Sequence, residues 1–339
     1  MSTPRARRKA DLLVVSVGCP CGIGPEVSVR AAAKVPGTVL VGDLLMLQEA
    51  AELVSVPRKR LVPFDGELKD PRAIYVHSVG PRLAMRDRKP GKPNAASGAA
   101  QLAYINEAYR LVKAAPGRAL VTGPVSKAAI AHSGVPGAEH FLGHTEWLRD
   151  MDHAALSVMC FAAGPLVSSL VTTHLPIARV PRALTPRGVS DATFHLGELL
   201  IALGKKQPSI AICSLNPHAG EGELLGIEER TAIVPGIRAA GRRLRGRATL
   251  IGPLGAETAF RKAAAGTFQG VVAMYHDQAT IPMKLVAFGD AVNVTMGLSI
   301  VRTSVDHGTA YDIAWQGIAD AAGMRAAMEL GRRLSVPSR

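Results

Sequence analysis

Short apolar runs alternate along this chain with stretches of helical period. Asp11 to Val17, Thr38 to Val41, Ile74 to Val76, Ala119 to Thr122, Ile210 to Ser214, Ala248 to Ile251 and Val271 to Met274 read as strands. Leu156 to Phe161 and Leu166 to Thr172 read as a paired set. Between them, Val27 to Lys34, Ala99 to Lys113, Ala128 to Ser133, Asp191 to Leu203 and a stretch near Glu228 to Ala239 read as helices. Runs of Val, Ile and Leu without polar alternation suit strands buried on both faces. Strand following helix throughout predicts an α/β fold with mostly parallel strands. The 339 residues suggest about two domains. The terminal parts, 1–120 with 290–339, are expected to build one, and 121–289 the other.

Polar chemistry collects where the apolar runs stop, which is where open α/β sheets bind ligands. The densest stretch is Val271 to Ala314. It passes from a strand into Tyr275-His276-Asp277-Gln278, expected to be a loop, then supplies Lys284, Asn293 and Arg302 and ends in Asp306-His307-Gly308-Thr309-Ala310-Tyr311-Asp312. His174, His218 and His276 each follow an apolar strand in a polar or Pro/Gly-containing turn. Three imidazoles with an open position suit Zn²⁺ or a similar divalent ion. His144 and Thr145 open a helix, a natural place to hold a phosphate or carboxylate. Lys284 and Arg302 add cations for an acidic substrate. Gly18 to Glu26 is a glycine-rich strand-to-helix turn, neither a Walker A nor a G-x-G-x-x-G motif, whose glycines serve either to let N–H groups face an anion or only to close a tight turn. Lys127 stands at the top of another strand.

Composition narrows the classes. Hydrophobic residues are 47% and charged residues 20%, as in an ordinary globular protein. No apolar run is long enough to span a bilayer, and the basic opening Met1 to Ala10 lacks a signal peptide's apolar core, so no membrane association and a cytoplasmic location are expected. The four cysteines form no C-x-x-C pair and are expected to be free thiols. A net charge of +13 would suit nucleic acid, but it is scattered, and aromatics are only 4%, so an anionic small substrate is the better match and no nucleic-acid partner is expected.

In order along the chain stand GIGPE (Gly22 to Glu26), NAASG (Asn94 to Gly98), GHTE (Gly143 to Glu146), TTHLP (Thr172 to Pro176), LNPHAGE (Leu215 to Glu221), AMYHDQ (Ala273 to Gln278), NVTMGL (Asn293 to Leu298) and RTSVDHGTA (Arg302 to Ala310). With these the chain resembles the 4-hydroxythreonine-4-phosphate dehydrogenase family from about Leu12 to Asp320. The resemblance implies a two-domain α/β/α fold like that of isocitrate and isopropylmalate dehydrogenases, with the active site in the cleft. It implies that His174, His218 and His276 ligate a divalent metal (Zn, Mg or Co), one of them supplied by the second subunit of a homodimer. It implies that His144, Thr145, Lys284, Asn293 and Arg302 contact a small phosphorylated amino-acid substrate. His307, Gly308 and Asp312 are then expected at the adenosine end of NAD, with NADP as the alternative. The implied reaction oxidises 4-phosphohydroxy-L-threonine at C3 and ends in decarboxylation, on the way to pyridoxal 5'-phosphate. Lys284 and Glu257 are the candidate catalytic groups, with Lys284 or a water on the metal relaying the hydroxyl proton.

The chain departs from the family's pattern in three places. Cys19 and Cys21 replace an acid and an alanine in GDPAGIGPE, Gly255 to Thr258 reads GAET in place of PADT, and Ala314 to Gly317 reads AWQG in place of AGKG. These departures keep a four-carbon sugar-acid phosphate, threonate or erythronate 4-phosphate, open as the substrate. A non-catalytic nucleic-acid or ligand binder is the remote alternative.

Overall fold

Continuous apolar runs produce strands buried on both faces. The computed structural model describes residues 12–80, 82–286 and 291–336; the basic opening Met1 to Ala10 lies outside them. The strands are β1 (Leu12–Ser16), β2 (Thr38–Gly42), β3 (Leu61–Pro63), β4 (Ile74–Ser78), β5 (Arg118–Thr122), β6 (Val158–Ala163), β7 (Leu166–Leu170), β8 (Ser209–Cys213), β9 (Thr249–Leu254), β10 (Gly270–Ala273), β11 (Val292–Met296) and β12 (Val301–Val305). Helices alternate with them, so the mixed α/β architecture with largely parallel strands is the one expected. Among the described residues no helix is long and apolar enough to cross a membrane.

The chain divides into two compact units, one running to Ala154 and resuming at Leu298, the other spanning Ala155–Gly297. The sequence reading put these breaks near 120 and 290. The first unit reaches further because β5 pairs in parallel with both β1 and β12, so the segment after it stays with that sheet. Its strand order is β3-β4-β2-β1-β5-β12. Val14, Val15, Val39 and Val121 are fully buried at its centre, each contributing about 1.5–3 kcal/mol by leaving water. Asn94 and Ser97 cap the Ala95–Lys113 helix reciprocally.

The second unit has the order β11-β6-β7-β10-β8-β9. Here β6 and β7 form an antiparallel hairpin, while β7, β10, β8 and β9 run parallel. Phe161, Phe260, Phe268, Leu166 and Met283 pack in its core. Two local readings change. β11 and β12 are strands although Asn293, Thr295, Arg302 and Ser304 interrupt their apolar character. Tyr275-His276-Asp277-Gln278 is not a loop, because a helix begins at His276 and runs to Val286 through Pro282. The last of the helices, read near Glu228 to Ala239, runs on through the arginine-rich stretch to Leu244, with Arg245 left-handed just beyond.

Candidate functional site

In the first unit the candidate anion-binding groups are brought together by helix packing. Gly98 lets the Ala95–Lys113 helix press on the Lys127–Ala131 helix: a Cβ there would stand 1.9 Å from the Ala129 carbonyl oxygen. Gln101 Oε1 accepts from the Ser126 N–H at 2.8 Å, and Ser126 caps the short helix, which sets Lys127 at its start. Gly143 precedes the His144–Met151 helix, and a Cβ on it would stand 3.1 Å from Glu146 Oε2 and 3.5 Å from Lys127 Nζ. Arg302, on β12, is 3% exposed. Its guanidinium donates to Thr122 Oγ1 at 2.7 Å and Thr145 Oγ1 at 3.4 Å. Burial brings its pKa down to about 10, with Glu146 opposing. His144 is held well below the ordinary histidine value by loss of water, then by the Arg302 and Lys127 charges. Its Nε2 is buried without a hydrogen-bond partner. A neutral imidazole, hydroxyls and a dry guanidinium together suit a phosphate or carboxylate, with Arg302 supplying charge and the others direction. Lys127, Thr122 and Glu146 join this group. Lys127's place at a strand top and Glu146's place in GHTE were the sequence signals for them.

The segment after β12 has no regular structure from Asp306 to Ala321. Irregular segments of that length inside a compact unit are usually functional. His307 Nδ1 lies 3.0 Å from the Gly308 carbonyl, and its Nε2 is buried without a partner. Gly308 and Asp312 are exposed, and nothing stands where a Gly308 Cβ would point. An orphaned ring nitrogen beside an open glycine and an exposed acid fits the adenosine end of a dinucleotide. By contrast, the turn at Gly22 is not an open anion cradle. The Gly22 and Ile23 N–H groups already donate to the Cys19 and Thr309 carbonyls, at 3.1 and 3.0 Å. A Gly22 Cβ would strike the Thr309 oxygen at 2.7 Å.

In the second unit β7 and β10 are neighbours, and their ends are tied together. The Thr172 N–H and Oγ1 both donate to the Met274 carbonyl, at 3.1 and 2.8 Å. His174 and His276, just past those ends, therefore lie side by side with ring centroids 5.6 Å apart. His276 Nδ1 sits 2.7 Å from Asp277 Oδ1, an arrangement that leaves Nε2 to face an ion. Two imidazoles so placed fit part of a divalent-metal site. His218 is on Pro217–Glu223, where His218, Ala219 and Glu221 all take left-handed backbone conformations. Glu229 holds the start of this loop by accepting from the Leu215 and Asn216 N–H groups, both at 2.9 Å. Strained non-glycine residues of this kind cluster at functional sites. Among the described residues, no three His, Cys, Asp or Glu side chains of one chain come together to hold a metal.

Of the other candidates, Asn293 on β11 has a buried Oδ1 with no hydrogen-bond partner. Lys284 is exposed on the His276–Val286 helix, not buried as its proposed chemistry would suggest. Glu257 opens the Ala256–Ala264 helix and is exposed. Arg261 at 2.8 Å, then Thr258, hold its carboxyl below the usual range, the arrangement of a surface ion pair.

Residues 34–331 match the family described as pyridoxal phosphate biosynthetic protein PdxA. The chain belongs to that family. A 4-hydroxythreonine-4-phosphate dehydrogenase of Trichlorobacter lovleyi is 35% identical over 348 residues, covering 99% of each chain. A protein of Bradyrhizobium diazoefficiens, provisionally named as a D-threonate 4-phosphate dehydrogenase, is 36% identical and covers 95% of this chain and 96% of its own. The crystal structure of the Klebsiella pneumoniae 4-hydroxythreonine-4-phosphate dehydrogenase superposes with a TM-score of 0.83 at 32% identity, covering 96% of this chain and all of that one.

Proposed function

We propose that this PdxA-family chain is a dehydrogenase that oxidises the C3 hydroxyl of 4-phosphohydroxy-L-threonine with NAD⁺. The C3–H bond breaks with its electron pair as hydride, and the hydroxyl proton leaves to a base. The resulting 2-amino-3-oxo-4-phosphooxybutanoate is a β-keto acid and loses CO₂ to give 3-amino-2-oxopropyl phosphate. The observation that carries this reading is the dry cluster of Arg302, neutral His144 and Thr145, which suits a phosphate, in a chain that also pairs His174 with His276. In this reading His174 and His276 would help hold a divalent cation, which would supply polarisation of the hydroxyl, and the segment carrying His307 and Asp312 would hold the NAD⁺ that supplies the hydride acceptor. Arg302, His144 and Thr145 fix the phosphate. Asn293, through its unmet Oδ1, accepts from a substrate donor. Lys284 Nζ takes the hydroxyl proton, a role that needs it to leave water when substrate binds. The surface pairing of Glu257 with Arg261 supports no proton transfer.

The third imidazole, from His218, would come from a second copy of the chain in a homodimer. After His218, Leu224, Leu225 and Ile227 are 83%, 46% and 49% exposed, the kind of apolar surface that a partner covers. A second reading, oxidation of threonate 4-phosphate, is favoured by Cys19 standing where the family's pattern has an acid. NADH formation, followed by absorbance on metal-loaded enzyme with 4-phosphohydroxy-L-threonine and D-threonate 4-phosphate side by side, tests both. Turnover of the first at least about tenfold above the second is expected. The reverse ratio would transfer the assignment, and no NADH from either would end it.

A further inference from the structure

The segment 306–321 is held in its shape by one face of the Gly24–Ala32 helix. Glu26 is 1% exposed. Its Oε1 accepts from the Trp315 N–H at 2.5 Å and its Oε2 from the Gly317 N–H at 3.0 Å. One turn on, the Arg30 guanidinium donates to the Gly317 carbonyl at 2.5 Å and the Ala319 carbonyl at 2.6 Å. Residues four apart project from the same helix face, so acid and base meet the segment together. Glu26 takes two of its N–H groups and Arg30 two of its carbonyls. Trp315 needs such a hold. It is a bulky residue with φ 61°, a left-handed conformation that persists only where its surroundings over-determine it. Its indole N–H also donates to the Pro20 carbonyl at 2.8 Å, in the turn just before the helix. Nearer the candidate adenosine groups, the Ile23 N–H donates to the Thr309 carbonyl at 3.0 Å. The glycine-rich turn and its helix therefore act on the nucleotide segment through hydrogen bonds, and the acid of GIGPE is spent on protein N–H groups.

We propose that Glu26 and Arg30 are positioning residues for the dinucleotide: together they clamp residues 315–319 so that His307 and Asp312 are presented in their binding conformation before the cofactor arrives. This rests on the reading that His307, Gly308 and Asp312 meet the adenosine end of NAD. An amide in place of the carboxylate offers one acceptor oxygen to two N–H donors and turns its own donors toward the other, so Glu26→Gln opens the clamp with little change of volume. Arg30→Lys keeps the charge and loses the fork, so it serves as the milder variant if Glu26→Gln does not fold.

Two readouts test this on the full-length metal-loaded protein. The first is amide hydrogen exchange across 311–319 without nucleotide. The second is NAD⁺ affinity from Trp315 fluorescence in a Trp147→Phe background, with steady-state kinetics alongside. Glu26→Gln should raise exchange in that segment, weaken NAD⁺ and raise its KM by about tenfold, and leave kcat at saturating NAD⁺ within about twofold. Arg30→Lys should fall between it and the parent. Unchanged exchange in both variants overturns the clamp. His307→Ala separates the premise from the proposal. If it weakens NAD⁺ and Glu26→Gln does not, the positioning role falls alone. If neither variant alters NAD⁺ affinity, the cofactor reading of the segment falls with it.

Discussion

The two units hold their candidate residues in opposite ways. In the first, Arg302 and Cys19 are buried, His144 is kept neutral by its surroundings, and Trp315 is locked by Glu26. In the second, His174, His218 and Lys284 are exposed, and the His276 side chain is 37% exposed. A group already dry and oriented binds its ligand with little further ordering. Imidazoles in water are ordered by what they bind. In the proposed reading the phosphate-binding groups would be preset within one chain, whereas the histidines would be ordered by the ion and by a second copy.

The largest expected effect falls on the exposed side. His276→Ala should lower kcat/KM on the order of 10³-fold. Its melting temperature should stay within about 1 °C of the parent, because an exposed ring contributes little to the core. A melting drop of several degrees with activity retained would make His276 structural and erase the contrast. Next comes Arg302→Met, which should weaken the phosphorylated substrate on the order of 10²-fold, the worth of one or two charge-assisted hydrogen bonds. Melting should fall by no more than a few degrees, since the hydrogen bonds to Thr122 and Thr145 are lost while a costly buried charge is removed. The sharper form of this test adds inorganic phosphate to the parent protein with and without a chelator. Phosphate should raise the melting temperature equally in both by binding the native state, while turnover survives only without chelator. Phosphate stabilisation that disappears with the metal would place the anion pocket under the metal's control.

Legibility from sequence followed the same divide between local and distant causes. β1, β2, β5 and β10 were readable because, Arg118 apart, their residues are buried and their centres are continuous apolar runs. β11 and β12 were not, because Asn293, Thr295, Arg302 and Ser304 stand in strands while serving as polar groups, and a polar residue in an apolar run reads as a break. The helix at His276 hid behind Pro282, which argues against helix from sequence alone. His174 and His276 could be paired by their matching places after strands. Their adjacency needed the fact that β7 and β10 are neighbours, a matter of topology with no local signal. Glu26 and Trp315 are 289 residues apart, and nothing in either neighbourhood announces the other. The same limit applied to the glycine-rich turn: its glycines did mark close backbone approach, Gly18 to Pro124, Gly22 to Thr309 and Gly24 to Val17.

The smallest effect concerns Cys19 and asks how closed the first unit is. Its Sγ lies 3.4 Å from the Tyr311 hydroxyl. Hydrogen bonding with the Cys21 side chain, and to a lesser degree with Tyr311, brings Cys19 down to about 7 against the opposing effect of burial. The same contact drives Cys21 up, and burial pushes Cys160 up and Cys213 to about 12. One thiolate should therefore appear near neutral pH when ultraviolet thiolate absorbance is followed on the native protein, and Cys19→Ser should remove it. The sign for stability follows. An unfolded thiol titrates at about 8.5, so between about 7 and that value the unfolded chain binds more protons and stability rises with pH. The contribution is present above the unfolded value and is lost as pH falls through about 7. Tyr311→Phe removes the lesser donor and should move the midpoint upward by less than losing Cys21 does. If all four thiols instead titrate together near the ordinary cysteine value, Cys19 is reached by water, and the first unit is less closed than its other contacts imply.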